Sequence, residues 1–201
     1  MTGVDWYTAR AAGVVAYALL TSGVLLGVLL AGRVRVPWWP QFAVTDVHRF
    51  VALLTGGFVL LHIYSLVLDK YVPTSLVAAL VPGSSSYRPA WVALGTIAFE
   101  LLAAVGISNL LRKQIGHARW RRIHYLTFLV WAFATAHGIG AGTDTGAEWL
   151  HLVYVASVAS VTAAVAWRLG SRRTSGSGGV FARLPLVEGA VAEQSTERDQ
   201  P

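Results

Sequence analysis

An all-α, polytopic transmembrane helix bundle is the architecture this chain encodes, with about five spans and one short re-entrant or interfacial segment. Three observations carry that expectation. Hydrophobic residues make up 55% of the chain and charged ones only 13%, with a mean hydropathy of +0.55, whereas a soluble domain of this size carries about a quarter charged residues. The apolar residues are gathered into runs long enough to cross a hydrocarbon core of about 30 Å. The Lys and Arg residues behind the formal net charge of +6 lie between and after those runs. They form no basic domain, which argues against a nucleic-acid partner. The chain has no cysteine, so disulfides, thiolate nucleophiles, iron–sulfur clusters and cysteine-ligated zinc are excluded. Redox chemistry in such a chain requires a bound cofactor.

The first span is Ala11–Gly32, an uncharged run preceded by Trp6 and Tyr7, which suit the water interface. It is longer than the apolar core of a signal peptide and only Arg10 precedes it closely, so it reads as retained. The connection Arg33–Asp46 contains Pro37 and Pro40, which stop a helix, and the pair Trp38-Trp39, which suits the headgroup layer. Thr45 or Asp46 is the expected N-cap of the second span, Val47–Leu68. The stretch Val72–Val81 is too short to cross and holds Pro73, which predicts a re-entrant or interfacial turn. After the Pro82–Ser86 loop comes the third span, Ala90–Leu111, with Glu100 near its centre. An intramembrane carboxyl is costly, so Glu100 is expected to face the bundle interior. Arg112–Arg122 is the densest charge in the chain, Ile123–Ile139 is the fourth span, Gly138–Gly146 a glycine-rich loop, and Trp149–Trp167 the fifth span. The domain plan is therefore a membrane domain over residues 1–170 and a cytoplasmic tail over 171–201, rich in Ser and Gly and expected to be disordered.

Five spans place the termini on opposite sides. Eleven near-membrane Lys and Arg residues, running from Arg33 to Arg173, then fall on one side, against Arg10, Lys70 and Arg88 on the other. The positive-inside rule predicts a multi-pass protein of the cell membrane, in contact with the lipid bilayer, with its N-terminus outside and its C-terminus in the cytoplasm.

Four histidines stand out against this apolar background. His48 and His62 lie fourteen residues apart in the second span, and His124 and His137 thirteen apart in the fourth. At about 1.5 Å per residue each pair covers about 20 Å of helix. With five spans the two helices run in the same direction, so His48 pairs by depth with His124 and His62 with His137. Two imidazoles at each of two depths suit two stacked cofactors, and haem is the one most often held that way. Fourteen residues return to nearly the same helix face, but thirteen miss it by about 140°, so either a π-bulge or kink lies between His124 and His137 or the two rings approach their cofactors from different flanks. Hydrogen bonding between helices is the alternative for any single histidine, but it fits poorly with four at matched depths.

The two histidine spacings, together with the Arg-Trp-Arg-Arg-Ile-His-Tyr run at 119–125, resemble the ferric reductase-like transmembrane domain family. That family includes ferric reductases, NADPH oxidases and the haem subunit of the methionine sulfoxide reductase system. The resemblance covers about residues 10–170. It implies a membrane cytochrome b with two haem b groups, and His48, His62, His124 and His137 as axial ligands of the haem irons. Electrons would pass from a cytoplasmic flavoprotein or a quinol to an acceptor on the outer side. Full-length ferric reductases continue into flavin and nicotinamide domains, and only a short polar tail follows here. The chain is accordingly expected to act as an electron-transfer subunit, and direct oxidation of NAD(P)H by it is not expected.

Arg49, Arg119 and Arg122 lie at the cytoplasmic ends of the ligand helices, where they suit pairing with haem propionates; so does the neighbouring Arg121. Gly56 and Gly57 would let a flat macrocycle approach the backbone, though small residues also serve helix packing. Trp131 and Phe128 lie between His124 and His137, with core or lipid-facing roles the simpler reading. His117 falls in the basic loop, and His151 begins the fifth span as an alternative ligand. No hydrolytic site or phosphate-binding loop is visible. Two other functions fit the sequence: a quinol-linked haem subunit for a separate periplasmic reductase, with quinone as a further cofactor, and a cofactor-free transporter or scaffold.

Overall fold

The computed structural model describes residues 4–32, 40–69 and 75–177, and all the regular structure among them is helical. Pro37, Trp38 and Trp39 of the first connection and the tail beyond residue 177 lie outside the described residues. Contacts divide the chain into two units, Met1–Ala164 and Val165–Pro201.

Among the described residues eight helices are formed: α1 Val4–Gly32, α2 Gln41–Leu68, α3 Leu76–Leu80, α4 Pro89–Leu110, α5 Arg112–Ile115, α6 His117–His124, α7 Thr127–Ala141 and α8 Glu148–Ser177. Four of them, α1, α2, α4 and α8, are long and apolar enough to cross a membrane. The predicted fourth span is the exception, because it is built from two helices and α7 alone has only 15 residues.

Several boundaries differ from the sequence expectations. The second helix starts at Gln41, with Pro40 as its N-cap in an extended conformation, because proline fixes φ and needs no backbone donor there. Thr45 and Asp46 therefore lie inside the first turns: Thr45 Oγ1 donates to the Gln41 carbonyl at 2.9 Å and Asp46 pairs with Arg49 at 3.3 Å. The predicted glycine loop begins later than expected, since α7 continues to Ala141 and only 142–147 are irregular. Gly138 and Gly140 are helical, and a Cβ at either would run into Tyr154 or Trp91. Their role is close approach between helices rather than a turn. The Val72–Val81 stretch provides a single short helix, α3, whose N-cap Ser75 accepts from Ala78 N–H at 3.1 Å. The helical part of α8 runs past the predicted domain boundary to Ser177.

Within Met1–Ala164, α1 packs along α2 and α4 along α7. Both pairs are antiparallel: Gly13 meets His62 while Gly27 meets His48, and Gly95 meets His137 while Gly140 meets Trp91. Arg88 begins α4 in a left-handed conformation (φ 41°, ψ 59°), and its guanidinium donates to the Gly140 carbonyl at the end of α7. That bond supplies an orphan helix-end carbonyl with a cationic donor.

The interior is tied by hydroxyls. Tyr17 donates to Ser157 at 2.8 Å, Thr21 and Ser157 share a 2.8 Å bond, and Trp131 Nε1 reaches both Thr21 and Ser157 at 3.2 Å. Thr135 donates to Tyr17 at 3.1 Å. The result is a satisfied polar network joining α1, α7 and α8, the arrangement by which membrane helices associate without a hydrophobic gradient between them. Large apolar side chains such as Leu53, Leu110 and Leu152 are exposed on the outside, as lipid contact requires.

Candidate functional site

Four half-buried histidines come together as two ring pairs at two levels. The His48 and His124 ring centroids are 6.1 Å apart with an interplanar angle of 72°. Those of His62 and His137 are 6.4 Å apart at 80°. Because His48 and His62 lie on the one continuous helix α2, the levels are separated by about 20 Å along its axis. Two imidazoles bound through nitrogen to opposite sides of one metal, with bonds of about 2 Å, have centroids about 6 Å apart. Each pair therefore leaves room for a single metal atom between its rings. Among the described residues no group of three His, Cys, Asp or Glu side chains is gathered for a metal.

The thirteen-residue spacing is accommodated by a break. After His124 the chain makes a turn at Tyr125 and Leu126, both with ψ near −15°. Leu126 N–H bonds to Ile123 and Phe128 N–H to Tyr125, three residues back, at 2.9 and 3.2 Å. Thr127 Oγ1 takes the His124 carbonyl at 2.8 Å. This is 3₁₀ geometry, which overwinds the backbone by about 20° per residue and lets α6 and α7 take separate axes. His124 thus belongs to the end of α6 and His137 to the body of α7, and each reaches its own partner on α2.

Glycines on neighbouring helices receive the rings, and sequence reading missed them. His62 Nδ1 bonds to the Ala9 carbonyl at 2.7 Å, and one turn further along α1 a Cβ on Gly13 would sit 3.0 Å from that nitrogen. His137 Nδ1 bonds to the Trp91 carbonyl at 2.9 Å, and a Cβ on Gly95, again one turn on, would approach it to 2.6 Å. Facing His48 is Gly27, one turn beyond the Gly23 carbonyl, at an ordinary 3.6 Å. A signal was present: Gly13 and Gly27 are fourteen apart, like His48 and His62. Gly56 and Gly57, the sequence candidates for close backbone approach, have nothing within 4 Å of a Cβ.

At the end of the bundle that carries Arg112–Arg122, Trp120 stacks on His124 (centroids 5.1 Å, 24°), and the Arg112 guanidinium lies 4.1 Å from the Trp120 ring centroid. Arg112 also reaches His117 Nδ1 at 3.2 Å, so the exposed His117 belongs to this surface and not to either ring pair. Arg119, Arg121 and Arg122 are exposed, and Arg49 is ion-paired with Asp46. Trp131 is held in the hydroxyl network by its bonds to Thr21 and Ser157. His151 is exposed on α8. Glu100 also departs from expectation: it is exposed on α4, because the interior face of that helix is taken by Thr96, Ala98, Val105 and Ser108.

The His62–His137 pair opens into a cavity of about 270 Å³ between α1, α2, α4 and α7. Val14, Val59, Ile63, Phe99 and Leu102 supply apolar walls, and Arg10, Tyr87 and Asp144 supply polar groups. Arg10 is ion-paired with Asp144 and lies against the Trp6 and Tyr7 rings at 5.7 and 5.8 Å. The space is therefore mostly apolar, with a mutually neutralised ion pair among its polar groups. No family model, no curated protein and no solved structure matches the chain.

Proposed function

We propose that this chain is a membrane cytochrome b of the ferric reductase-like kind, which carries electrons across the bilayer through two haem b groups. The single observation behind this reading is the pair of histidine couples, 6.1 and 6.4 Å between centroids, at two levels of one bundle. Each couple offers two imidazoles, and among the described residues no third His, Cys, Asp or Glu joins either one. A metal held there needs its other positions filled by a planar macrocycle, which haem provides. Six-coordinate, bis-imidazole iron favours electron transfer over oxygen binding.

On this reading the chain spans the membrane five times, the fourth crossing being α6 and α7 together. The basic end faces the cytoplasm, and the N-terminus lies outside. His48 and His124 would hold the haem nearer a cytoplasmic donor, a reduced flavoprotein or a quinol, and His62 and His137 the haem nearer an outer acceptor; the bound haems would supply one-electron transfer between the two sides. Arg49 and Arg112 lie nearest the inner level, Arg119 and Arg122 are exposed on the helix that carries His124, and Arg10 lines the outer cavity.

The absorption spectrum of the purified chain tests the proposal. It should show a Soret band and a sharp α-band on reduction, with two haems per chain by pyridine haemochrome assay. A preparation saturated with haem during expression that shows no Soret band removes the proposal. Reduction by a quinol analogue, compared with reduction by NADH and a flavoreductase, separates the two donor classes.

A further inference from the structure

The two ring pairs are alike in separation and unlike in support. At the His62–His137 level both Nδ1 atoms are hydrogen-bonded to backbone carbonyls, at 2.7 Å to Ala9 and 2.9 Å to Trp91. At the His48–His124 level both Nδ1 atoms are buried and neither makes a hydrogen bond of good geometry; the Gly23 carbonyl is a weak partner for His48, and His124 has none. The surroundings differ in the same sense. Arg112 lies over the tryptophan stacked on His124, whereas Arg10 beside the outer pair has its charge offset by Asp144.

From this contrast we infer that the Ala9 and Trp91 carbonyls, admitted by Gly13 and Gly95, act as positioning groups that set the His62–His137 site at a lower reduction potential than the His48–His124 site. The inference rests on the two-haem reading above. An imidazole that donates Nδ1–H to a carbonyl is fixed in one tautomer and is a more basic ligand through Nε2, which favours the oxidised metal. An imidazole without that bond is a weaker donor, and a nearby uncompensated cation favours the reduced state. Both effects push the levels apart in the same direction. An electron delivered at the basic end then rests on the His48–His124 pair, and outward passage is drawn by the acceptor and by a membrane potential negative inside.

A potentiometric titration of the full-length, haem-loaded protein, followed by its absorption, tests this. Two separate midpoints are expected. Gly13→Ala presses on the His62 ring and loosens its bond to Ala9, so it should raise the lower midpoint and leave the upper one in place. Gly106→Ala, where a Cβ meets nothing within 4 Å, should move neither. Coincident midpoints, or a Gly13→Ala shift confined to the upper one, overturn the inference while leaving the two-haem reading intact. A wild-type chain without a haem spectrum removes that reading itself. If Gly13→Ala does not retain its haem, the single-haem chains His48→Ala and His62→Ala give the same ordering. His48→Ala should retain the lower midpoint and His62→Ala the upper, and the reverse assignment overturns the inference.

Discussion

A glycine is the smallest part of the site and one of the most exacting. A Cβ on Gly95 would lie 2.6 Å from His137 Nδ1 and 2.7 Å from its Cε1, closer than any side chain tolerates. Gly95→Ala should therefore displace His137 and lower the haem content to one per chain, read by haemochrome assay; retention of both haems would show that the ring has space to retreat. His62→Ala and His137→Ala should each remove the same haem, and His48→Ala and His124→Ala the other, so that four variants give only two spectra. The histidines themselves were legible, because four imidazoles on two apolar runs leave few bland explanations. Their glycine counterparts were not, because a glycine in an apolar helix has many roles and only the facing helix tells which one applies. Gly56 and Gly57 drew notice by lying between two histidines, yet no neighbouring group approaches them.

Helices were legible wherever an apolar run was continuous, and their ends were less so. Pro40 begins α2 ahead of the polar residues that looked like caps, since a backbone already fixed at a helical φ needs no side-chain cap. The turn at Tyr125 and Leu126 carries no proline or glycine, so nothing local announces it. Only the off-phase thirteen-residue spacing pointed to something of the kind. Inserting one alanine after Leu126 turns α7 by about 100° and should abolish the His62–His137 haem while sparing the His48–His124 one. Loss of both, with the helical circular dichroism unchanged, would mean that α6 and α7 position their histidines as one rigid unit. The break also explains why α7 falls short of a spanning length: the predicted fourth span is divided between it and α6.

Across the whole bundle, the hydroxyl network of Tyr17, Thr21, Trp131, Thr135 and Ser157 joins three helices through side chains of modest size. Ser157→Ala removes the centre of that network, and at about 0.6–2 kcal/mol per intramembrane hydrogen bond it should lower the thermal midpoint in detergent by a few degrees and leave the haem spectrum unchanged. The absence of cysteine makes orientation directly measurable. A cysteine introduced as Arg121→Cys should react with an impermeant thiol reagent only from the cytoplasmic side, and one introduced as Thr145→Cys only from outside. The opposite pattern would reverse the direction proposed for electron flow. The partition between helix pairs was not legible beforehand, because depth can be read from position along a span but lateral neighbours cannot.

That partition bears on how the protein is assembled. His48 and His62 ride on α2 against α1, while His137 is braced on α4 and His124 follows at the head of the same hairpin's second arm. Each site is thus halved between an early and a late hairpin, and neither half offers more than one ring at either level. On the two-haem reading, a group held in each gap would cross-link the two halves of the chain, and its binding energy would become part of their docking energy. A chain not yet loaded would still be joined through the Tyr17–Thr135 and Thr21–Trp131 bonds, and filling the gaps would add one further tie at each level.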